Sequence, residues 1–137
     1  MSQSPNRLVG AVFGVIYTLV GLAGFLVTGG VPFAGREGNP LLGFEVNPLH
    51  NIVHLAIGIA LLLGSRRVAS AKATNTAVGA VYLLVGVLGL FIIESSANIL
   101  ALNSADNVLH LGSAVILLGV GLGADKAART SNAPRTA

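Results

Sequence analysis

The sequence predicts an all-α integral membrane protein, a four-helix bundle made of two tandem helical hairpins. Three observations predict this class: a low charge content, four long apolar segments and an internal repeat. The chain has 137 residues, of which 53% are hydrophobic and 9% are charged, and it has no cysteine. In an ordinary soluble domain about a quarter of the residues are charged. The composition therefore argues against a soluble enzyme, a nucleic-acid-binding protein and a disordered chain.

Four apolar segments are each close to the length of about 20 residues that a membrane-spanning helix needs. They predict spans at residues 8–28, 48–65, 75–93 and 105–123, within a membrane domain of residues 1–124. Asn47 followed by Pro48 is typical of a helix start, and Ser104 or Asp106 is the expected cap of the fourth helix. Residues 125–137 are small and polar, and predict a disordered cytoplasmic tail.

Basic residues are concentrated on one side of these spans. Loops rich in Lys and Arg stay in the cytoplasm, so the pattern predicts both termini inside. Residues 66–74 then form a short cytoplasmic linker, and residues 29–47 and 94–105 form the outer loops. The inner side carries Arg7, Arg66, Arg67, Lys72, Lys126, Arg129 and Arg135, and the outer side carries Arg36, Glu37, Glu45, Glu94 and Asp106.

The two halves of the chain resemble each other. Residues 14–24 and 79–89 are identical at six of eleven positions, among them Tyr17 and Tyr82. Residues 51–55 and 107–111 share the pattern Asn-x-x-His-Leu at a different offset. The repeats cover about residues 7–66 and 75–124 and enter the membrane in the same direction. They predict a pseudo-two-fold axis along the membrane normal, and their spaced glycines predict faces for close helix packing.

Polar residues recur at matched positions near the outer ends of spans 2 and 4. Residues three and four apart share one face of a helix, so each span presents its polar residues as one stripe. An Asn and a His are common to both stripes. The stripes consist of His50, Asn51 and His54 in span 2, and of Asp106, Asn107 and His110 in span 4.

The preferred interpretation of these stripes is structural. Asn and His side chains form hydrogen bonds between membrane helices, worth about 0.6–2 kcal/mol each. The protein is then a structural or accessory membrane protein whose Asn and His clusters order the outer half of the bundle. Its expected partners are the lipid bilayer and either a second copy of the chain or another membrane protein. No catalytic motif is recognised, so we expect no enzyme activity.

A metal site is the main alternative. Three imidazoles and a carboxylate suit zinc or another divalent first-row ion. The ligands are then His50, His54, Asp106 and His110, with Asn51, Asn107, Tyr17 and Tyr82 as the polar residues that support them.

Two further alternatives use the same residues. His54 and His110 could be the axial ligands of a haem, although the helices carry few aromatic residues to pack against a macrocycle. A small transporter or channel component is the other alternative, since ionisable residues in a membrane are candidates for function. Four spans rarely enclose a pore alone, so transport favours a homo-oligomer.

The polar elements also carry a resemblance. With Asn47-Pro-Leu-His50-Asn51-Ile-Val-His54 and Asp106-Asn107-Val-Leu-His110, the chain resembles a family of small bacterial four-helix membrane proteins known as a domain of unknown function. The resemblance runs from about Arg7 to Gly123. It implies four spans in a bacterial plasma membrane, and it implies no particular reaction, substrate or cofactor.

Overall fold

Four helices form the protein in the computed structural model, which describes residues 4–126. Most of the predicted cytoplasmic tail, residues 127–137, lies outside the described residues. The helices are α1 (Pro5–Val27), α2 (Pro48–Gly64), α3 (Val68–Ile92) and α4 (Ser104–Gly123).

Polar caps fix where three of these helices begin. The Ser4 side chain accepts from the backbone N–H of Arg7 at the start of α1. At the start of α2 the Asn47 side chain accepts from the backbone N–H of His50, which confirms the predicted cap. The cap of α4 is Asn103, one residue before the predicted Ser104. Asp106 completes a reciprocal capping box with it, because each side chain accepts from the other's backbone N–H.

Helix α3 begins earlier than the apolar pattern predicts. It starts at Val68 rather than at residue 75, so only residues 65–67 connect α2 to α3 and most of the predicted linker is helical. The extra turns hold Ala71 in a buried position. The amine of Lys72 donates to the carbonyl of Ala124 at 3.0 Å, which places its charge at the end of α4. Tertiary contacts therefore stabilise a helical segment that is not apolar.

The hydropathy of the helices indicates a membrane protein. By length and composition α1, α3 and α4 are each able to cross a membrane, with mean hydropathy of 2.1, 2.0 and 1.5. Helix α2 is apolar as well but shorter, at 17 residues. Large apolar side chains such as Leu26 and Phe91 are more than three-quarters exposed on the outside of the bundle. Such a surface is stable against lipid and not against water.

The helices pack most closely in two sequential pairs, α1 with α2 and α3 with α4. Glycines of the repeated segments make this possible, as the sequence predicts, whereas the spaced Gly119 and Gly123 face open space. A Cβ at Gly21 would approach the backbone nitrogen of Leu55 to 2.7 Å, and one at Gly86 would approach the Leu111 side chain to 2.8 Å. The core between the pairs holds the buried side chains of Tyr17, Leu61, Val78, Tyr82, Ala114 and Leu117.

The outer loops depart from the all-α prediction with a hairpin and an isolated parallel bridge between Gly35 and Leu100. Strands β1 (Asn39–Leu41) and β2 (Phe44–Val46) form an antiparallel hairpin. Its two-residue turn has positive φ at both Leu42 (53°) and Gly43 (93°), the geometry that suits a tight hairpin. Glycine adopts this conformation freely, whereas Leu42 does so with its side chain 90% exposed. A turn with only one glycine is a weak signal in the sequence, and the hairpin was not predicted.

Candidate metal centre

Three histidine rings meet between α2 and α4, below the outer loops. His50 and His54 lie one turn apart on α2, and His110 lies on α4. Each ring offers a nitrogen, and these three nitrogens all lie within 4.8 Å of one another. The side chains are buried, with exposed fractions of 1%, 3% and 2%. The structure thus brings together all three of the histidines that the sequence singles out.

Hydrogen bonds define the nitrogens of the two histidines on α2. His50 Nδ1 lies 3.2 Å from the carbonyl oxygen of Glu45. A carbonyl only accepts, so Nδ1 carries the hydrogen and Nε2 keeps its lone pair. His50 Nε2 lies 2.9 Å from His54 Nε2, so the His54 Nε2–H donates to it. This assignment leaves a lone pair on His54 Nδ1.

Several polar atoms around the rings lack a partner among the described residues. These buried atoms are His54 Nδ1, His110 Nδ1 and the Tyr82 hydroxyl. An unpaired polar group is costly in an apolar environment. A cavity of about 20 Å³ lies beside them, lined by the three histidines, Tyr82 and five apolar residues. That volume is close to what a single water molecule needs, and it leaves no room for the haem considered from the sequence.

Two tyrosines pack against the histidine rings. Tyr17 meets His54 edge-on with ring centroids 5.2 Å apart, and Tyr82 stacks on His110 at 5.1 Å. The hydroxyl of Tyr17 forms a hydrogen bond with Ser113. Both tyrosines thus contact the histidines through their rings, and neither forms a hydrogen bond with them. The sequence analysis did not identify Ser113, although this residue lies three positions after His110 on the same face of α4.

Asp106 does not join the three imidazoles. Its carboxylate accepts from the backbone N–H of Asn103 at 3.0 Å and of Glu45 at 3.3 Å. These bonds hold the start of α4 against strand β2. Asp106, the predicted fourth ligand, thus forms its hydrogen bonds at the start of α4, one turn from His110.

Asn51 and Asn107 do not contact the histidines through hydrogen bonds either. Asn51 donates to the hydroxyl of Thr28 at 3.1 Å, between α1 and α2. The Asn107 amide has no hydrogen-bond partner among residues 4–126 and packs against Gly89 of α3. Both residues lie where paired helices touch, but only Asn51 forms a hydrogen bond there.

A family model matches residues 7–123, most of the chain. This chain belongs to the family described as Domain of unknown function (DUF4383). The matched segment includes the four helices and the three histidines. No curated protein and no solved structure matches the chain.

A second polar cluster lies at the opposite end of the bundle, and three of its four residues fall outside the matched segment. Asn75 on α3 donates to the backbone and side-chain oxygens of Asn6, at 2.9 and 3.0 Å. Asp125 accepts from Ser4 and from Asn6. These bonds hold the pKa of Asp125 below its usual value. The sequence analysis missed this cluster, because Asn6 and Asn75 stand alone at the edges of apolar segments and Asp125 falls in the predicted tail.

Proposed function

We propose that this protein binds a divalent transition-metal ion within the membrane, through His50, His54 and His110. One observation carries the proposal: three buried imidazoles offer nitrogens within 4.8 Å of one another. No acidic side chain lines the cavity beside them. Imidazole suits zinc, copper, nickel and iron, whereas magnesium and calcium require oxygen ligands. The donor set therefore favours a first-row transition metal.

The two histidines on α2 hold their Nε2 atoms near the spacing that such an ion requires. Zinc–nitrogen bonds of about 2.0–2.1 Å place tetrahedral ligand nitrogens about 3.4 Å apart. The two Nε2 atoms on α2 are 2.9 Å apart, so a small ring rotation suffices there. The bond from His50 Nδ1 to the Glu45 carbonyl supports the proposal, because metal-bound histidines commonly donate their other N–H in this way. Three protein ligands leave a fourth position for water or another small ligand.

The proposal extends to the setting of the site. We propose four spans in a bacterial plasma membrane, with the two hairpins as tandem repeats and both termini in the cytoplasm. Helix α2, with 17 residues, is at the lower limit for a span. Matched glycine contacts on Leu55 and Leu111 support the repeat. In this arrangement the histidines lie in the outer half of the membrane.

Metal titration of the purified protein in detergent tests the proposal. We expect one zinc ion per chain by elemental analysis after dialysis, and visible absorption bands from a tetrahedral site when cobalt replaces zinc. His54→Gln should abolish both signals while the helix content stays unchanged, because an amide keeps a hydrogen bond but is a poor ligand. Asp106→Asn is the matched control and should keep the metal, since Asp106 caps α4 outside the cluster.

A structural or accessory role is the second candidate, and the hydrogen bonds of His50 favour it. His50 joins α2 to strand β2 through the Glu45 carbonyl and accepts from His54. A metal-free protein in which His54→Ala with His110→Ala only lowers the melting temperature supports this role. The same result contradicts metal binding.

A further inference from the structure

A groove at the N-terminal end of α1 combines a fixed arginine with an apolar wall. It has a volume of about 290 Å³ and is lined by Ser4, Arg7, Leu8, Ala11 and Ser65. Arg7 Nε donates to the carbonyl oxygen of Ser65 at 2.9 Å, which holds the guanidinium at the end of α2. Leu8 and Ala11 follow on α1, three residues apart and so on one face. The lining of the groove therefore changes from polar to apolar side chains within one helical turn.

The charges around this groove are mostly positive and unpaired. Arg66 and Arg67 follow Ser65 directly and are exposed. The one salt bridge among the described residues lies at the other end of the bundle, between Arg36 and Glu94. Asp125 is the one acidic side chain near the groove, and Ser4 and Asn6 donate hydrogen bonds to it. Among residues 4–126, Arg7 is thus the one charged side chain that lines the groove, and Arg66 and Arg67 add positive charge next to Ser65 in the chain.

We propose that this groove binds an anionic phospholipid, with the phosphate on Arg7 and the start of an acyl chain along Leu8 and Ala11. Arg7 uses Nε for Ser65 and leaves its two terminal nitrogens without a partner among the described residues. A guanidinium matches the oxygens of a phosphate. The hydroxyls of Ser4 and Ser65 already donate to Asp125 and to the Leu62 carbonyl, so Arg7 supplies the donors. The apolar wall distinguishes a lipid from free phosphate, which has no chain to place there. Anionic headgroups attract basic residues at the membrane surface.

Native mass spectrometry of the detergent-purified protein tests this proposal. The protein is titrated with phosphatidylglycerol or with phosphatidylcholine, and the bound lipids are counted. We expect at least one phosphatidylglycerol to be retained where phosphatidylcholine is lost. Arg7→Gln should weaken its retention about five-fold, the effect of removing one basic charge near a membrane surface. Arg36→Gln, at the opposite end, is the matched control and should retain the lipid.

A second arginine variant and a competition with inorganic phosphate provide two further tests of lipid binding. Because Arg7→Gln also removes a bond to Ser65, the exposed Arg66→Gln is a second variant that disturbs no contact, and it should show a loss as well. Equal retention of the two lipids, or equal losses in Arg7→Gln and Arg36→Gln, would overturn the proposal. Displacement of phosphatidylglycerol by inorganic phosphate would also overturn it, since the groove would then be a free phosphate site.

Discussion

Two glycines decide how two buried amides are placed. Asn51 and Asn107 are 1% and 2% exposed. A Cβ added at Gly24 would overlap the amide of Asn51, and one added at Gly89 would overlap the amide of Asn107. The amides therefore occupy the space that the absent side chains leave. The matched Asn residues in the sequence and their matched glycines belong to one packing arrangement in each hairpin.

Substitution of these glycines should destabilise the bundle. Gly24→Ala forces Asn51 away from Thr28 and crowds the contact of α1 with α2, and overpacking of this kind costs about 1–3 kcal/mol. Gly112→Ala is the matched control: its Cβ would have nothing within 4 Å, and alanine favours a helix by about 1 kcal/mol. Thermal unfolding in detergent should show a lower melting temperature for the first variant and an equal or higher one for the second. Equal melting temperatures for both variants would contradict the packing argument.

Helix ends carry the polar contacts that join the elements. At one end of the bundle the Asn6, Asn75 and Asp125 cluster connects α1, α3 and the end of α4. At the other end Asp106 connects α4 to strand β2. Both carboxylates accept backbone N–H groups, so each satisfies donors that a helix start leaves unpaired.

The contact of Asp125 with α1 should make stability depend on pH. The pKa of Asp125 is lower in the folded protein than its usual value, because Ser4 and Asn6 donate to the charged form. Its stabilising effect is therefore complete above the unfolded pKa of about 3.9 and is lost as the pH falls through the folded pKa. The melting temperature of the natural protein should exceed that of Asp125→Asn at about pH 6, and the difference should shrink towards about pH 3. A difference that stays constant over this range would assign the effect to something other than the carboxylate charge.

The pattern of apolar residues in the sequence located three of the four helices well. The predicted ends of α1, α2 and α4 lie within three residues of the observed ends. The start of α3 was missed by seven residues, because Ala71 and Lys72 are held by tertiary contacts rather than by an apolar run. The β-hairpin was missed for a similar reason, since its register depends on a turn at Leu42 and Gly43.

On the scale of the whole molecule, the outer loops join the two hairpins above the histidines. Gly35 in the first loop donates to the carbonyl of Ile99 in the second at 3.0 Å and accepts from Ala101 at 2.9 Å. The side chain of Asn47 donates to the carbonyls of both Gly35 and Ile99. These contacts cover the histidine cluster on its outer side. If the proposed function holds, these loop contacts limit access to the cluster from that side.

The proposed orientation can be tested directly, because the chain has no cysteine. Ala34→Cys and Ala69→Cys each introduce one exposed thiol, in the outer loop and at the start of α3 respectively. With both termini in the cytoplasm, a membrane-impermeant maleimide applied to intact cells should label the first variant and not the second. Labelling of both after lysis is the control for reactivity. The reverse pattern in intact cells would contradict the orientation.

The sequence by itself determined the class of the protein and part of its site. Low charge and long apolar segments predict helices that are able to cross a membrane, because insertion into lipid depends on composition. Helical periodicity likewise placed His50 and His54 on one face. Only the tertiary structure decided that His110 joins them while Asp106 does not. That choice depends on the rotation of α4 and on the backbone N–H groups that Asp106 accepts, and neither follows from spacing along one helix.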